Sequence, residues 1–178
     1  MESMKKISLV FVGLFILAAF CAGQQPKQDQ ANSKWEKWSW LLGPWKGEGS
    51  GKPGEGVGTF AFSIDLGGSV ILRHGHTDFP AAQGRPASSH DDLMVIYNDP
   101  VTGDPKAIYF DNEGHTINYA VSWVDKSIVL TSQKTGNIPA FRITYTPLES
   151  GEMETVFDIS QDGKTFVTYL EGKSKRAR

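Results

Sequence analysis

The chain has 178 residues, with 18 basic and 20 acidic side chains and a formal net charge of −2. A balance so near neutral excludes the strongly basic footprint of nucleic-acid binding. Cys21 is the one cysteine, which excludes an intramolecular disulfide.

The chain opens with a short basic start, "MESMKK", followed by the apolar run "ISLVFVGLFILAAF" over 7–20 and then small and polar residues. This order predicts a secretory signal peptide over 1–23, because the apolar core is short for a membrane span and no second apolar run follows. The mature protein is therefore expected to be exported, whether periplasmic, anchored to the envelope or secreted. "LAAFC" resembles a bacterial lipobox, whose cysteine becomes a lipidated N-terminus, although Phe20 stands where a small residue belongs. Cleavage after Gly23 is the alternative and would discard Cys21, so membrane contact is expected only through a lipid anchor. Residues 24–33, "QQPKQDQANS", hold no large apolar side chain and read as a flexible tether.

A single domain is expected over 34–178. In "SKWEKWSWLLG" the spacing of Trp35, Trp38, Leu41 and Leu42 predicts one short helix, with Ser33 as N-cap and Gly43 as stop. From Trp45 onward the pattern changes to runs rich in Val, Ile, Thr, Phe and Tyr, separated by turn residues. These predict strands at 45–51, 56–65, 69–79, 90–98, 105–112, 115–124, 127–133, 139–147, 152–160 and 164–171. Links such as "NEGH", "VDKS", "ESGE" and "QDGK" are of hairpin type. The terminal "KSKRAR" reads as a solvated tail.

About ten strands joined by tight turns make an antiparallel meander, and closing it into an all-β up-and-down barrel removes its edges. In "HTINYAVSW" His115, Ile117, Tyr119, Val121 and Trp123 share one face, and in "AFRITYTP" Phe141, Ile143 and Tyr145 do so. These bulky faces are expected inside. About ten strands enclose more space than the roughly eight whose side chains just fill a barrel, so an internal cavity is expected.

Several motifs fail when their chemistry is tested. A phosphate-binding loop ending in Gly51-Lys52 needs glycine where Lys46 stands and Ser or Thr where Pro53 stands. Gly49, Gly51 and Gly54 match a dinucleotide fingerprint, but a strand follows where a helix N-terminus is needed. "DNEGH" over 111–115 lacks the oxygen ligands of a calcium loop and reads as a hairpin turn with Gly114 left-handed. Ser88 and Ser89 lack the sharp turn that exposes a nucleophile.

"LLGPWKGEGSG" resembles the Gly-x-Trp-x-Gly-x-Gly signature of nitrobindin-like barrels and related uncharacterised secreted bacterial barrels. The likeness extends more loosely over "DLGGSVILRHGH" and "YNDPVTGDPKAIYFDNEGH". It implies a calycin-type (lipocalin-like) barrel closed near Trp45. Nitrobindin-like proteins hold ferric haem through a histidine near the last strand and are associated with nitric oxide binding or peroxynitrite isomerisation. No histidine follows His115 here; Tyr169 stands near that position, and tyrosine can ligate haem iron. The uncharacterised barrels lack that ligand and resemble this chain more.

His74, His76 and Asp78 alternate in "LRHGHTD" and so share one face of a strand. An H-x-H pair can ligate a transition metal, with His90 or His115 as a third ligand, or can stand at the polar mouth of a barrel. The expected function is non-catalytic binding of a small apolar or amphipathic molecule without a cofactor. Trp45, His74, His76, His115, Tyr119 and Trp123 are the expected pocket positions. The alternatives are a haem- or metal-dependent barrel acting on a reactive small species, through Tyr169 or the His74/His76 pair, and an envelope scaffold.

Overall fold

The computed structural model describes residues 34–48, 56–82 and 84–177; the leader, the tether, Cys21 and Ser33 lie outside them. Ten strands follow in order: β1 (Gly43–Glu48), β2 (Val57–Asp65), β3 (Val70–Phe79), β4 (Ser88–Asn98) and β5 (Pro105–Asp111), then β6 (Thr116–Val124), β7 (Ser127–Ser132), β8 (Ala140–Pro147), β9 (Met153–Ser160) and β10 (Val167–Arg176). Each is antiparallel to its neighbour in sequence, and β1 pairs with β10 to close the sheet. The all-β antiparallel barrel read from the turn spacing is thus the observed architecture. Gly114 has φ 90°, as the hairpin reading of "DNEGH" requires.

Two elements differ from expectation. The N-terminal helix is a single 3-10 turn, Glu36–Trp38, with i to i+3 bonds from Trp38 N to Trp35 O (2.9 Å) and from Leu41 N to Trp38 O (2.8 Å). A three-residue repeat suits this tighter turn, which stacks Trp35, Trp38 and Leu41 on one edge, and all three are buried. The basic C-terminus is no loose tail: Lys173, Ser174, Lys175 and Arg176 register with Glu48, Gly47, Lys46 and Trp45. The need to satisfy the open edge of β1 outweighs the polarity of the sequence.

Strand register shows which face is inside. Gly43, Phe62, Arg73, Met94, Tyr109 and Ile117 form one row across β1 to β6. Phe62 and Met94 in that row are fully buried, so the row faces the interior. Alternation then places Trp45, Phe60, Ile71, Gly75, Thr77, His90, Asp92, Ile96, Ala107 and Asp111 inside as well. On the other half of the barrel Tyr119, Val121, Trp123, Leu130, Ile143, Tyr145 and Phe157 face inward.

The seam is pinned around one indole. Trp45 is 2% exposed, its Nε1 donates to Leu41 O (2.7 Å), and the Arg176 guanidinium lies 3.9 Å from its ring centre. Arg176 also donates to the carbonyls of Leu42 and Trp40. Gly43, at φ 105°, makes this possible, since a Cβ there would stand 2.9 Å from Arg176 Nη1. At the same end Trp35 Nε1 donates to Gly68 O (2.9 Å), and Trp38 meets Trp123 edge-on at 5.7 Å. The tryptophan turn therefore caps the end that carries the β2–β3 and β6–β7 turns.

Trp45→Ala is expected to cost roughly 3–5 kcal/mol of stability by denaturant titration, as for other buried aromatic deletions. Arg176→Ala is expected to cost about 1–2 kcal/mol, because its hydrogen bonds and cation–π contact are partly exposed.

Candidate functional site

The histidines singled out in β3 are on the outside. His74 and His76 alternate with the inward Arg73, Gly75 and Thr77, and both are exposed. They border an open groove of about 740 Å³ that crosses β1 to β5. Trp45, Phe60, Gly75, Asp92 and Asp111, which have inward register positions, also line it. One bank is mostly apolar, with Ala61, Leu93 and Phe110 beside His74; the other carries Thr59, His76, Asp91 and Asn112. A molecule lying there would keep one side in water.

His76 is held between two carboxylates. Its Nδ1 is 2.6 Å from Asp91 Oδ1 and its Nε2 3.3 Å from Asp78 Oδ1. The hydrogen bond to Asp91 raises its pKa above the ordinary 6.5; desolvation opposes this, and the Asp78 charge adds a smaller push upward. Among the described residues no group of three His, Cys, Asp or Glu side chains is placed to hold a metal ion. His115 serves its own turn: its backbone N donates to Asp111 Oδ1 (2.9 Å) and its Nδ1 lies 2.8 Å from Asp111 Oδ2. Burial would raise the pKa of Asp111, but these bonds and the one from Glu113 N outweigh it and hold the carboxylate low.

Tyr169 stands at the bulge of β10, 73% exposed, with its ring edge-on to Phe157 at 6.1 Å. An axial phenolate so exposed would leave haem iron in water, so the residues present do not fit a haem held at this position.

Tyr119 and Trp123, by contrast, are on the inner wall, where a set of polar groups lies among aromatic rings. Arg73 pairs with Asp92, and its guanidinium lies 4.8 Å from the Phe60 ring centre. Both members of the pair are largely shielded, with side chains 15% and 7% exposed. Gly75 is required between them, because a Cβ there would collide with the Asp92 carboxylate. Three buried polar atoms of the described residues have no hydrogen-bond partner: Arg73 Nε, Trp123 Nε1 and Thr155 Oγ1. All three residues have inward register positions, Thr155 opposite the fully buried Tyr145. Burial raises the pKa of Tyr109, Tyr119 and Tyr145, so these phenols stay protonated across the ordinary range.

Nearer the open end a second polar chain begins. His90 Nε2 is 2.9 Å from Tyr109 Oη, and His90 Nδ1 is 3.1 Å from Glu113 Oε1. The apolar lining continues across the barrel with Phe141 and Phe157, whose rings stack at 5.8 Å.

Arg73, Asp92, Tyr109 and Glu113 were not among the expected site residues. The available signal was the alternation of Arg73, Gly75 and Thr77 in phase with Ile71, set against the histidines in phase with Leu72. Of the six expected pocket positions, Trp45, Tyr119 and Trp123 face the interior, His74 and His76 face the outer groove, and His115 stands on the β5–β6 turn.

Comparison with known proteins supports the fold. No protein-family model and no curated protein matches the chain. Among 15 matching solved chains is the crystal structure of Rv2717c from M. tuberculosis. It is 14% identical, has a TM-score of 0.51, and aligns over 82% of this chain and 98% of its own. At that identity the likeness is one of barrel fold.

His76 is expected to titrate above 6.5 by NMR, and Asp91→Asn to return its midpoint toward 6.5. Since its folded pKa is raised, the ion pair contributes stability below pH 6.5 that is lost as pH rises through the folded value.

Proposed function

We infer that this barrel binds a small amphipathic molecule inside, with its apolar body against the inner aromatic rings and its polar end on the inward hydrogen-bond donors. The observation that carries this reading is the set of unpartnered inward atoms, Arg73 Nε, Trp123 Nε1 and Thr155 Oγ1. An unsatisfied buried polar group costs about 1–3 kcal/mol, and each such group in a folded protein calls for a partner. Ordered water would be one partner; a ligand bearing acceptor atoms would be another. The inner wall is a better host than the outer groove, because its polar atoms are more shielded and each hydrogen bond there is worth more.

The Arg73–Asp92 pair gives this wall direction without net charge. With the carboxylate on Nη1, the buried Nε–H is left without a protein partner and is available to an acceptor in the barrel. Phe60 fixes the plane of the guanidinium. A ligand of this kind is therefore read by one or two acceptor atoms and by the length of its apolar part. The reading includes export, carried by the leader-like sequence over 1–23, with Cys21 either lipidated or removed. It needs no cofactor, nucleic acid or catalytic step.

Titration of the folded, mature protein with 1-anilinonaphthalene-8-sulfonate is expected to give saturable one-to-one binding, weakened about tenfold by Trp123→Phe, on the scale of one lost hydrogen bond. Cooperative unfolding checked in the same samples separates this from a loosened core. Absence of saturable binding, with no small molecule carried by the purified protein in native mass spectrometry, would leave the scaffold alternative. Mass spectrometry of the mature N-terminus is expected to show a chain beginning at a lipidated Cys21 or at Gln24; an intact Met1 would overturn export.

A further inference from the structure

The Glu113–His90–Tyr109 chain has a property that follows from valence alone. Glu113 sits against His90 Nδ1 (3.1 Å), and an ionised carboxylate only accepts, so Nδ1 must carry a proton. When His90 is neutral its Nε2 is therefore a bare lone pair, and the Tyr109 hydroxyl, 2.9 Å away, donates to it. The phenol oxygen then shows the interior only lone pairs. When His90 is protonated, Nε2–H donates to that oxygen, and the phenolic hydrogen is released to the interior.

We propose that Tyr109 is a head-group subsite of the barrel, taking a carbonyl or carboxylate oxygen of the ligand, and that the charge on His90 decides whether its hydroxyl can donate. The proposal rests on the reading that a ligand binds inside. Tyr109 shares a register row with Arg73, across Met94, and feels its charge, so the two donors address one region of the wall. The charged and titratable groups around His90 are Glu113 on the β5–β6 turn, Tyr109 and Asp111 of β5, Asp92 of β4 and Arg73 of β3. Asp92 is paired with Arg73, and Asp111 is occupied by His115. Glu113 is thus the carboxylate that holds His90. Acceptor head groups are favoured with His90 charged, because only then is the Tyr109 hydroxyl free to donate.

The test uses two neutral probes of similar shape, 2-acetonaphthone, which has an acceptor oxygen, and 2-isopropylnaphthalene, which has none. Dissociation constants are measured for each from pH 5 to 8. The ketone is expected to lose about tenfold in affinity as His90 deprotonates, the scale of one hydrogen bond, while the hydrocarbon stays flat. Tyr109→Phe is expected to remove the pH dependence of the ketone and retain its binding at high pH. Parallel profiles for the two probes, or a dependence that survives in Tyr109→Phe, would overturn the proposal and leave internal binding intact. Failure of both probes to bind at any pH would instead overturn the binding reading, and the subsite with it. Imidazole 15N shifts of the wild-type protein give a check independent of any variant: neutral His90 is expected to carry its proton on Nδ1, and a proton on Nε2 would refute the switch.

Discussion

Arg176 lies on the face of the Trp45 ring and donates to the carbonyls of Trp40 and Leu42, and so joins the tryptophan turn, the first strand and the last. That junction reinforces the backbone pairing of β1 with β10, without which the two strands would be open edges and the inner wall one face of an exposed sheet. Closure changes the physics of every inward group, because polar atoms there can no longer turn to bulk water for a partner. The ion pair, the phenols and the unpartnered donors acquire their significance from the seam.

The interior is accordingly neither a plain apolar core nor a polar channel. Phe60, Phe62 and Tyr145 form a run of edge-on rings across the barrel, with centroid separations of 6.0 and 5.6 Å. The Arg73–Asp92 pair is set beside this run in a space that only glycine at 75 leaves open. Burying an ion pair is weakly stabilising at best, since desolvation offsets most of the attraction. Such a pair is better understood as fixing the orientation of the guanidinium, whose buried Nε has no partner. On the outside, Asp158 shows the contrasting arrangement, buried yet satisfied by Arg142 Nε (2.9 Å) and Thr168 Oγ1 (2.8 Å).

The fold was legible in the sequence because the turns are punctuated by Gly, Asp and Asn at hairpin spacing, and because β6 and β8 alternate cleanly. Tyr119, Trp123 and Tyr145 could be placed inside from that phase alone. β3 was not legible in the same way. It begins "VIL", three apolar residues in succession, which fits either phase, so nothing in the strand itself separates the inward Arg73 and Gly75 from the outward histidines. Glu113 and Tyr109 belong to neighbouring elements whose meeting with His90 depends on the register of β4 against β5. No periodicity within one strand encodes that register. The C-terminus was misread for a related reason: its charges describe its solubility, whereas its structure is set by the vacant edge of β1.

The bonds from Arg176 to Leu42 and Trp40 span 134 and 136 positions of the chain. Bringing such distant residues together is entropically costly and slow, and no local contact can substitute for it. A ribosome must release the chain through β10 before that strand can dock, and until then the growing product is a curled sheet with both margins free to pair with another copy. Loss of β10 would therefore act as a defect of assembly, and would remove the ring closure that all the earlier strands await.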